Sequence, residues 1–334
     1  MPKNLAIAAF NGRAITDPNV FTEVELSIPT PATDEVVVQL EAISLNPIDT
    51  KLRATLKPQA HPKIFGYDGV GRITAVGSAV QEYTIGQRVF YAGTTKKAGS
   101  YQHYQAVPAH LTAPVLSTAK ATDLAAIPLV GLTAWELLFE KMGFIPAINA
   151  NAGKTLLVIN GAGGVGSMLT QLAHWAGLTV IATASRKNFD WLTQHHVDQA
   201  LDYHDDWASQ ISRLVDGIAI LYAPEPYLAQ AVQLIAPLGH IATIVTPTQP
   251  LDLAGLKPKA ASFDQEYMFT KSDFGVAYDS TKHILTQLAT LYEAGVIQAS
   301  VTNTAPFDLK HLIAATKAIE AGHSVGKTSL FMKA

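Results

Sequence analysis

The stretch TLLVINGAGGVGSMLTQLAHWAG, residues 155–177, decides the fold of this chain. An apolar run leads into a G-x-G-x-x-G motif, and a helical apolar stripe follows it. In that setting the three glycines permit a tight turn, a close approach to a pyrophosphate and close helix–strand packing, while the helix start favours anions. The residues predicted to hold a dinucleotide here are Gly161, Gly163, Gly164, Val165 and Gly166. The alternative is a glycine-rich turn that only closes a strand–helix connection.

The regions before and after the start of this motif have different patterns of predicted secondary structure. From residue 155 strands and helices alternate, which predicts a parallel sheet with crossover helices. The predicted strands are 155–160, 178–184, 198–201, 218–222, 239–245 and 263–269, and the helices are 164–176, 188–196, 206–214 and 226–236. Residues 1–120 contain short strands set off by Gly or Pro, and a helix is predicted over 122–142. The predicted fold class is therefore α/β, with a β-rich domain and a doubly wound parallel-sheet domain.

Composition excludes several classes of protein. The chain has 334 residues, of which 48% are hydrophobic and 15% charged, as in a well-packed globular protein. Its formal net charge of −3, without a basic run, argues against a nucleic-acid or membrane partner. It has no cysteine, so disulfides and Cys-based zinc sites are excluded. No signal peptide or transmembrane segment is apparent, and a cytoplasmic location is expected.

The end of the second predicted strand indicates which dinucleotide binds. An NAD site carries an acidic residue about 20 residues past the glycine motif, whereas this strand ends in Ser185, Arg186 and Lys187. The two cations would attract the 2′-phosphate of NADPH, and the hydroxyl could donate a hydrogen bond to it. The sequence therefore predicts NADPH. A solvated basic turn is the alternative, and Lys187 is the cation more easily explained in that way.

Several ordered segments resemble the medium-chain dehydrogenase/reductase superfamily, and within it the zinc-free NADPH:quinone oxidoreductase branch that includes zeta-crystallin. They are SLNPIDTKLR (44–53), FGYDGVGRITAVGSAVQEYTIGQRVF (65–90), IPLVGLTAWELLFEKMG (127–143), NGAGGVGS (160–167), EYMFTKSDF (266–274) and GHSVGKTSLFM (322–332). The resemblance implies a GroES-like catalytic domain over 1–121, completed by 272–334, and a Rossmann domain over 122–271. The active site is expected in the cleft between them.

Zinc-dependent members of the superfamily differ from this chain at their ligands. They place a cysteine where this chain has Asn46, and a Gly-His-Glu motif where it reads Gly66-Tyr67-Asp68. An Asn and a Tyr do not make a tetrahedral zinc site. The eleven histidines show no spacing typical of metal ligands. The sequence therefore predicts no metal.

The resemblance also implies roles for individual residues. Asn46, Asp49 and Tyr67 are expected beside the nicotinamide, with Tyr67 as the candidate hydrogen-bond or proton donor. The alternatives are that Tyr67 is structural while solvent supplies the proton, and that Asp49 holds its own loop. The further residues expected at the cofactor are Thr133, Tyr203, Phe269, Thr270 and Lys327. The alternative for Thr133 and Tyr203 is that they are ordinary loop or helix-start residues without a cofactor contact. The alternative for Phe269 is that it packs in the core.

The predicted function is NADPH-dependent, metal-free reduction of a small electrophilic acceptor, either a quinone or an α,β-unsaturated carbonyl. Such acceptors are electron-poor already and need less help than a simple carbonyl, for which zinc acts as Lewis acid. One rival is aldehyde or ketone reduction in the alcohol dehydrogenase manner. Another is a non-enzymatic NADPH-binding or RNA-binding role, as in some zeta-crystallin relatives. Since relatives are often dimers, a homodimer is expected.

Overall fold

A computed structural model describes residues 3–115, 118–322 and 324–333. The chain forms two compact units. The first contains residues 1–129, 269–295 and 299–334, and the second contains residues 130–268 and 296–298. The sequence placed the two boundaries after residues 121 and 271. In the structure the first unit continues to residue 129, eight residues further, and resumes at residue 269, three residues earlier than predicted.

The strands of the first unit come from both ends of the chain. They are β1 (Lys3–Ala9), β2 (Thr22–Ser27), β3 (Glu35–Ser44), β4 (Lys63–Ile64), β5 (Asp68–Val76), β6 (Arg88–Tyr91), β7 (Tyr104–Pro108) and β8 (Thr112–Pro114), with β15 (Val301–Pro306) and β16 (Lys327–Phe331). The strands of the second unit are β9 (Thr155–Ile159), β10 (Thr179–Ala184), β11 (Gln199–Asp202), β12 (Val215–Ile220), β13 (Ile235–Thr243) and β14 (Ser262–Gln265).

The helices are short except for three. They are α1 (Pro47–Ala54), α2 (Ala121–Ala125), α3 (Pro128–Trp135), α4 (Gly164–Trp175), α5 (Phe189–Gln194), α6 (Leu228–Leu234), α7 (Thr270–Phe274), α8 (Ser280–Glu293) and α9 (Leu309–Glu320). A π-helical segment, Glu136–Lys141, continues from α3. Among the described residues, no helix is both long and apolar enough to cross a membrane.

The second unit contains a six-stranded sheet in the order β11-β10-β9-β12-β13-β14, and every pairing in it is parallel. Its central strand β9 is buried at all five positions, as expected for a parallel strand covered on both faces. The order steps outward from β9 in both directions, which is the doubly wound arrangement. The predicted fold class is confirmed.

The first unit contains a seven-stranded sheet and a three-stranded sheet, β2-β1-β4. In the larger sheet β3 pairs with β5, β7 and β16, and all three pairings are antiparallel. Ser44 at the end of β3 is level with Asp68 on β5 and Ser329 on β16. The residues just beyond Ser44 therefore meet the start of β5 and the C-terminal strand, although they are far apart in the sequence.

Several predicted elements differ from the structure by a few residues at their ends, and three differ in continuity, type or extent. The helix predicted over 122–142 is broken before Pro128, because proline has no N–H to donate and disfavours helix at the preceding residue. The helix predicted over 206–214 is only a 3-10 turn at Ala208–Gln210, and it suffices to bury Trp207 and Ile211 in the core of the sheet. The strand predicted over 263–269 ends at Gln265, and helix α7 begins at Thr270.

Candidate active site

The glycine motif spans the turn after β9 and the first residues of α4, as the sequence predicted. Gly163 is the N-terminal cap of α4, which begins at Gly164. The N–H of Gly161 donates to the carbonyl oxygen of Thr183 on β10 at 2.9 Å, so the turn is held to the neighbouring strand. Gly163, Gly164 and Val165 are partly exposed. The first N–H groups of a helix have no partner within it, so this end can accept an anion.

The three motif glycines have different surroundings. A Cβ on Gly166 would lie 2.3 Å from the carbonyl oxygen of Gly161, and one on Gly161 would lie 2.9 Å from the Cβ of Ala182. No heavy atom lies within 4 Å of a Cβ built on Gly163. Gly161 and Gly166 are therefore required by packing within the protein. Gly163 is not, and the open space beside it is what a bound pyrophosphate would use.

Strand β10 ends at Ala184, and the three polar residues predicted to choose the cofactor follow it. Ser185 precedes a 3-10 turn formed by Arg186–Asn188, at its N-cap position and without a side-chain capping hydrogen bond, and Arg186 and Lys187 are exposed. The Arg186 guanidinium lies 3.1 Å from Asp205 and 3.6 Å from Asp202. Lys187 forms no salt bridge among the described residues. Of the two cations, Arg186 is the one held in a defined position.

Asp202 was missed by the sequence reasoning. It ends β11 and is level with Ala184 on β10 in parallel register, so its carboxylate reaches the turn from the adjacent strand. It accepts hydrogen bonds from the backbone N–H of Arg186 at 3.2 Å and of His204 at 3.0 Å. The N–H and imidazole of His204 hold the pKa of the Asp202 carboxyl below its usual range. Asp202 therefore contacts both the backbone N–H and the guanidinium of Arg186 and helps to hold that residue in place.

The other predicted cofactor residues lie on several different elements. Thr133 is buried in α3. Tyr203 follows β11, is 39% exposed and has its ring 4.3 Å from that of His204. Phe269 is 1% exposed and its ring centroid lies 4.6 Å from that of Tyr67, so the structure brings these two predicted residues together. Thr270 begins helix α7 immediately after Phe269.

A buried polar cluster joins Asn46, Asp68 and Lys327 in the first unit. The side-chain amide of Asn46 donates to Asp68 Oδ2 at 2.8 Å, and Lys327 Nζ donates to the same oxygen at 3.1 Å. Lys327 Nζ also donates to the Asn46 side-chain oxygen and, at 2.8 Å, to the Leu45 carbonyl. Asp68 Oδ1 accepts from the N–H of Leu129 at 2.8 Å. All three ammonium protons of Lys327 therefore have acceptors inside the protein.

Burial of this cluster makes its charges interdependent. Asp68 is 0% and Lys327 5% exposed. Burial raises the pKa of Asp68, and the Lys327 ammonium and Asn46 amide oppose that increase. The sequence reasoning placed Lys327 at the cofactor. In the structure its ammonium donates to Asp68, Asn46 and the Leu45 carbonyl, and its place at the cofactor stays a prediction.

Asp49 lies at the start of α1 and is 2% exposed. Its Oδ2 accepts hydrogen bonds from the backbone N–H of Asn46 at 2.8 Å and from the hydroxyl of Tyr101 at 3.0 Å. The first contact is the loop-holding role that the sequence left open. The second involves Tyr101, which no sequence pattern singled out, because its approach depends on packing between distant segments.

The donor atoms in this region do not suit zinc. The positions that carry Cys, His and Glu in zinc-dependent proteins hold an amide, a phenol and a carboxylate already paired with an ammonium. Zinc sites in proteins use thiolate, imidazole and free carboxylate ligands. Within the described residues, no group of three or more His, Cys, Asp or Glu is placed to hold a metal ion. The residues present therefore do not fit the metal.

Comparison with protein families and known proteins agrees with this architecture. The alcohol dehydrogenase GroES-like domain matches residues 32–117, and the zinc-binding dehydrogenase family matches residues 195–329. A "Zinc-type alcohol dehydrogenase-like protein" of Staphylococcus epidermidis is 36% identical over 323 residues, which cover 94% of this chain and 96% of that protein.

Two further proteins extend the comparison. The "NADPH-dependent alkenal/one oxidoreductase, chloroplastic" of Arabidopsis thaliana is 29% identical over 92% of this chain and 75% of its own length. A crystal structure from Rhizobium etli CFN 42, described as a candidate zinc-dependent alcohol dehydrogenase, has a TM-score of 0.93 and 29% identity. The match covers 100% of this chain and 99% of that one.

Proposed function

This chain belongs to the medium-chain dehydrogenase/reductase superfamily and is an oxidoreductase with a nicotinamide-binding fold, and we propose that it reduces an α,β-unsaturated carbonyl or a quinone with NADPH and without a metal. The observation that carries this proposal is the buried cluster of Asn46, Asp68 and Lys327. A zinc enzyme would have a Lewis-acidic metal in this region, whereas these three side chains form hydrogen bonds to one another. Acceptors that are already electron-poor suit a site of that kind.

The preference for NADPH is supported by the turn after β10. Arg186 carries a positive charge at the end of the strand that follows the glycine motif, which is where dinucleotide-binding domains contact the ribose 2′ position. Ser185 offers a hydroxyl at the same turn. The Arg186 side chain contacts Asp202 and Asp205 and is still 75% exposed, so a phosphate can take up its remaining donors. The Arabidopsis relative is named for NADPH and for alkenal and alkenone substrates, which favours the same cofactor and acceptor class.

The chain's own residues have the following parts in the proposed reaction. Bound NADPH supplies the hydride. The N-terminus of α4, with Gly163, binds the pyrophosphate, while Thr133, Tyr203 and Thr270 are proposed to border the cofactor. Tyr67, packed against Phe269, donates a hydrogen bond or proton to the oxygen on which negative charge develops. The Lys327 ammonium balances the charge of the buried Asp68 carboxylate.

Metal-dependent reduction of an aldehyde or ketone is the second candidate, because the Staphylococcus and Rhizobium relatives are named for zinc. The donor set described above argues against it. A homodimer and a cytoplasmic location are proposed as well, with no nucleic-acid or membrane partner.

The proposal is tested with purified protein that has been dialysed against a zinc chelator. NADPH oxidation is then followed with methyl vinyl ketone, p-benzoquinone, acetaldehyde and acetone, each with and without chelator, and NADH serves as the matched cofactor. We expect turnover of the enone or the quinone with NADPH at the same rate in chelator. Turnover of only acetaldehyde or acetone, abolished by chelator and restored by zinc, would instead establish the metal-dependent reaction.

A further inference from the structure

The ring of Tyr101 lies directly over Gly66, the residue that precedes Tyr67. A Cβ on Gly66 would lie 2.3 Å from Cδ1 of Tyr101, and Gly66 has φ of +87°. The N–H of Tyr101 donates to the Phe65 carbonyl at 2.9 Å. A Cβ on Gly99 would lie 2.2 Å from the Gly66 carbonyl oxygen. Two glycines thus allow the backbone before Tyr101 to lie against the backbone before Tyr67, and side chains larger than hydrogen would separate them.

This close approach brings the Tyr101 hydroxyl to the buried carboxyl of Asp49. The hydroxyl donates to Asp49 Oδ2 at 3.0 Å, and the Asn46 N–H donates to the same oxygen. Asp49 Oδ1 is buried and has no hydrogen-bond partner among the described residues. Leaving an oxygen of an ionised carboxylate unpartnered in a buried site is unfavourable, and the cost is smaller when the carboxyl is neutral. The geometry therefore favours a carboxyl that can hold its proton.

The charges around Asp49 are mixed. Burial has the largest effect and raises the pKa of Asp49 to about 7, while the Asn46 N–H and the Lys327 ammonium favour its ionised form and Asp68 opposes it. Burial, followed by the negative charge of Asp49, raises the pKa of Tyr101 well above its usual range. Tyr101 therefore remains the donor in this hydrogen bond, and Asp49 is the group that changes charge near neutral pH. Tyr67 is also part of the electrostatic surroundings of Tyr101.

We propose that Tyr101 and Asp49 form a buried positioning pair that sets the charge beside Tyr67 and so controls how well Tyr67 stabilises a developing oxyanion. The inference rests on the function proposed above. Hydride addition to an enone or a quinone moves an electron pair onto the acceptor oxygen, and Tyr67 donates its proton to that oxygen, leaving a phenolate. Ionised Asp49 would place a second negative charge near the phenolate, whereas neutral Asp49 would not.

The first test is the pH dependence of single-turnover NADPH oxidation with methyl vinyl ketone or p-benzoquinone. In the wild type we expect the rate to fall about tenfold between about pH 6 and pH 9 as Asp49 ionises. Asp49→Asn should flatten that decrease, since the amide stays neutral. Tyr101→Phe removes a donor that favours the carboxylate, so the inflection should move to higher pH. Tyr91→Phe is the matched control, because Tyr91 is another buried tyrosine. Its hydroxyl donates a hydrogen bond to the side-chain oxygen of Gln105 at 2.8 Å.

A merely structural role for Tyr101 and Asp49 would lower rates without moving the inflection. The same inflection in wild type, Asp49→Asn and Tyr101→Phe would therefore overturn the proposal. Carboxyl carbon-13 NMR of aspartate-labelled protein adds a readout that needs no turnover. The Asp49 signal should titrate near neutral pH in wild type and at higher pH in Tyr101→Phe, and it should be absent in Asp49→Asn. An Asp49 signal that titrates below about pH 5 would overturn the pair even in an active enzyme.

The two proposals can fail separately. If the wild type oxidises NADPH with neither acceptor, the proposed function fails and the control of Tyr67 by the pair fails with it. The NMR titration would still establish whether Tyr101 and Asp49 form a titrating pair. If the wild type is active but its rate does not depend on the ionisation of Asp49, only the role of the pair is overturned.

Discussion

The carboxylate of Asp68 lies 3.1 Å from the ammonium of Lys327, although 259 residues separate them in the chain. Strand β16 makes this possible, because it joins the sheet beside β3 and brings the C-terminal segment to the start of β5. The negative charge of Asp68, in the N-terminal part of the chain, is balanced by the positive charge of Lys327, near the C-terminus. The integrity of the pair consequently depends on both segments being folded.

Replacing Lys327 with methionine should destabilise the protein by about 3–5 kcal/mol, because Asp68 would remain buried without its cation. Urea denaturation followed by tryptophan fluorescence measures this change. Adding Asp68→Asn to Lys327→Met should recover part of the loss. Lys3→Met is the control: Lys3 pairs with Glu25 on the surface, where both side chains are more than half exposed, and about 0–1 kcal/mol is expected. Equal losses for Lys327→Met and Lys3→Met would contradict the buried pair.

The motif glycines should separate stability from cofactor binding. Gly163→Ala meets no atom within 4 Å and should leave the melting temperature nearly unchanged, while its methyl group occupies space meant for the pyrophosphate and weakens NADPH binding at least about tenfold. Gly166→Ala would bring a Cβ to 2.3 Å from the Gly161 carbonyl oxygen and should cost about 1–3 kcal/mol of stability. Differential scanning fluorimetry with and without NADPH distinguishes the two. A destabilised Gly163→Ala protein would argue against this division.

Arg186→Ala should weaken NADPH binding by about 1.5–3 kcal/mol, which is the contribution of a charged hydrogen bond. NADH binding should change little, and Lys187→Ala should have a smaller effect on NADPH than Arg186→Ala. Fluorescence titration with both nucleotides measures all four cases. Asp205→Asn removes a competing carboxylate 3.1 Å from Arg186 and should strengthen NADPH binding. If Arg186→Ala weakens NADPH and NADH equally, Arg186 does not choose the cofactor.

The ionisation of Asp49 should make the folded protein less stable as pH rises. Burial raises its pKa to about 7 in the folded chain, compared with about 3.9 when unfolded. Between these values the folded state binds a proton that the unfolded state does not, so stability falls as pH rises through the window, by about 1.4 kcal/mol per pH unit. Urea denaturation at about pH 5 and pH 8 should show a smaller loss for Asp49→Asn than for wild type. Asp190→Asn, at an exposed carboxylate, should behave as wild type.

Local sequence patterns predicted most of the second unit, because a parallel sheet with crossover helices repeats a simple alternation. They failed where tertiary packing overrides local preference. Trp207 is buried beside a 3-10 turn at Ala208–Gln210, where the local pattern had predicted a full helix. Asp202 was overlooked because its role depends on strand order: β11 lies beside β10, and parallel strands end at one edge of a sheet.

By itself the sequence determined the fold class, the glycine turn before α4, the basic turn after β10 and the lack of zinc-type ligands at residues 46 and 67. Each of these follows from residue type at short spacing, where geometry is set by the chain itself. Only the tertiary structure decided that Lys327 neutralises Asp68 and that Tyr101 reaches Asp49 across Gly66. Those contacts join segments that are distant along the chain. Burial, which only the folded core provides, raises the free-energy cost of an unpaired charge and shifts the pKa values of these groups.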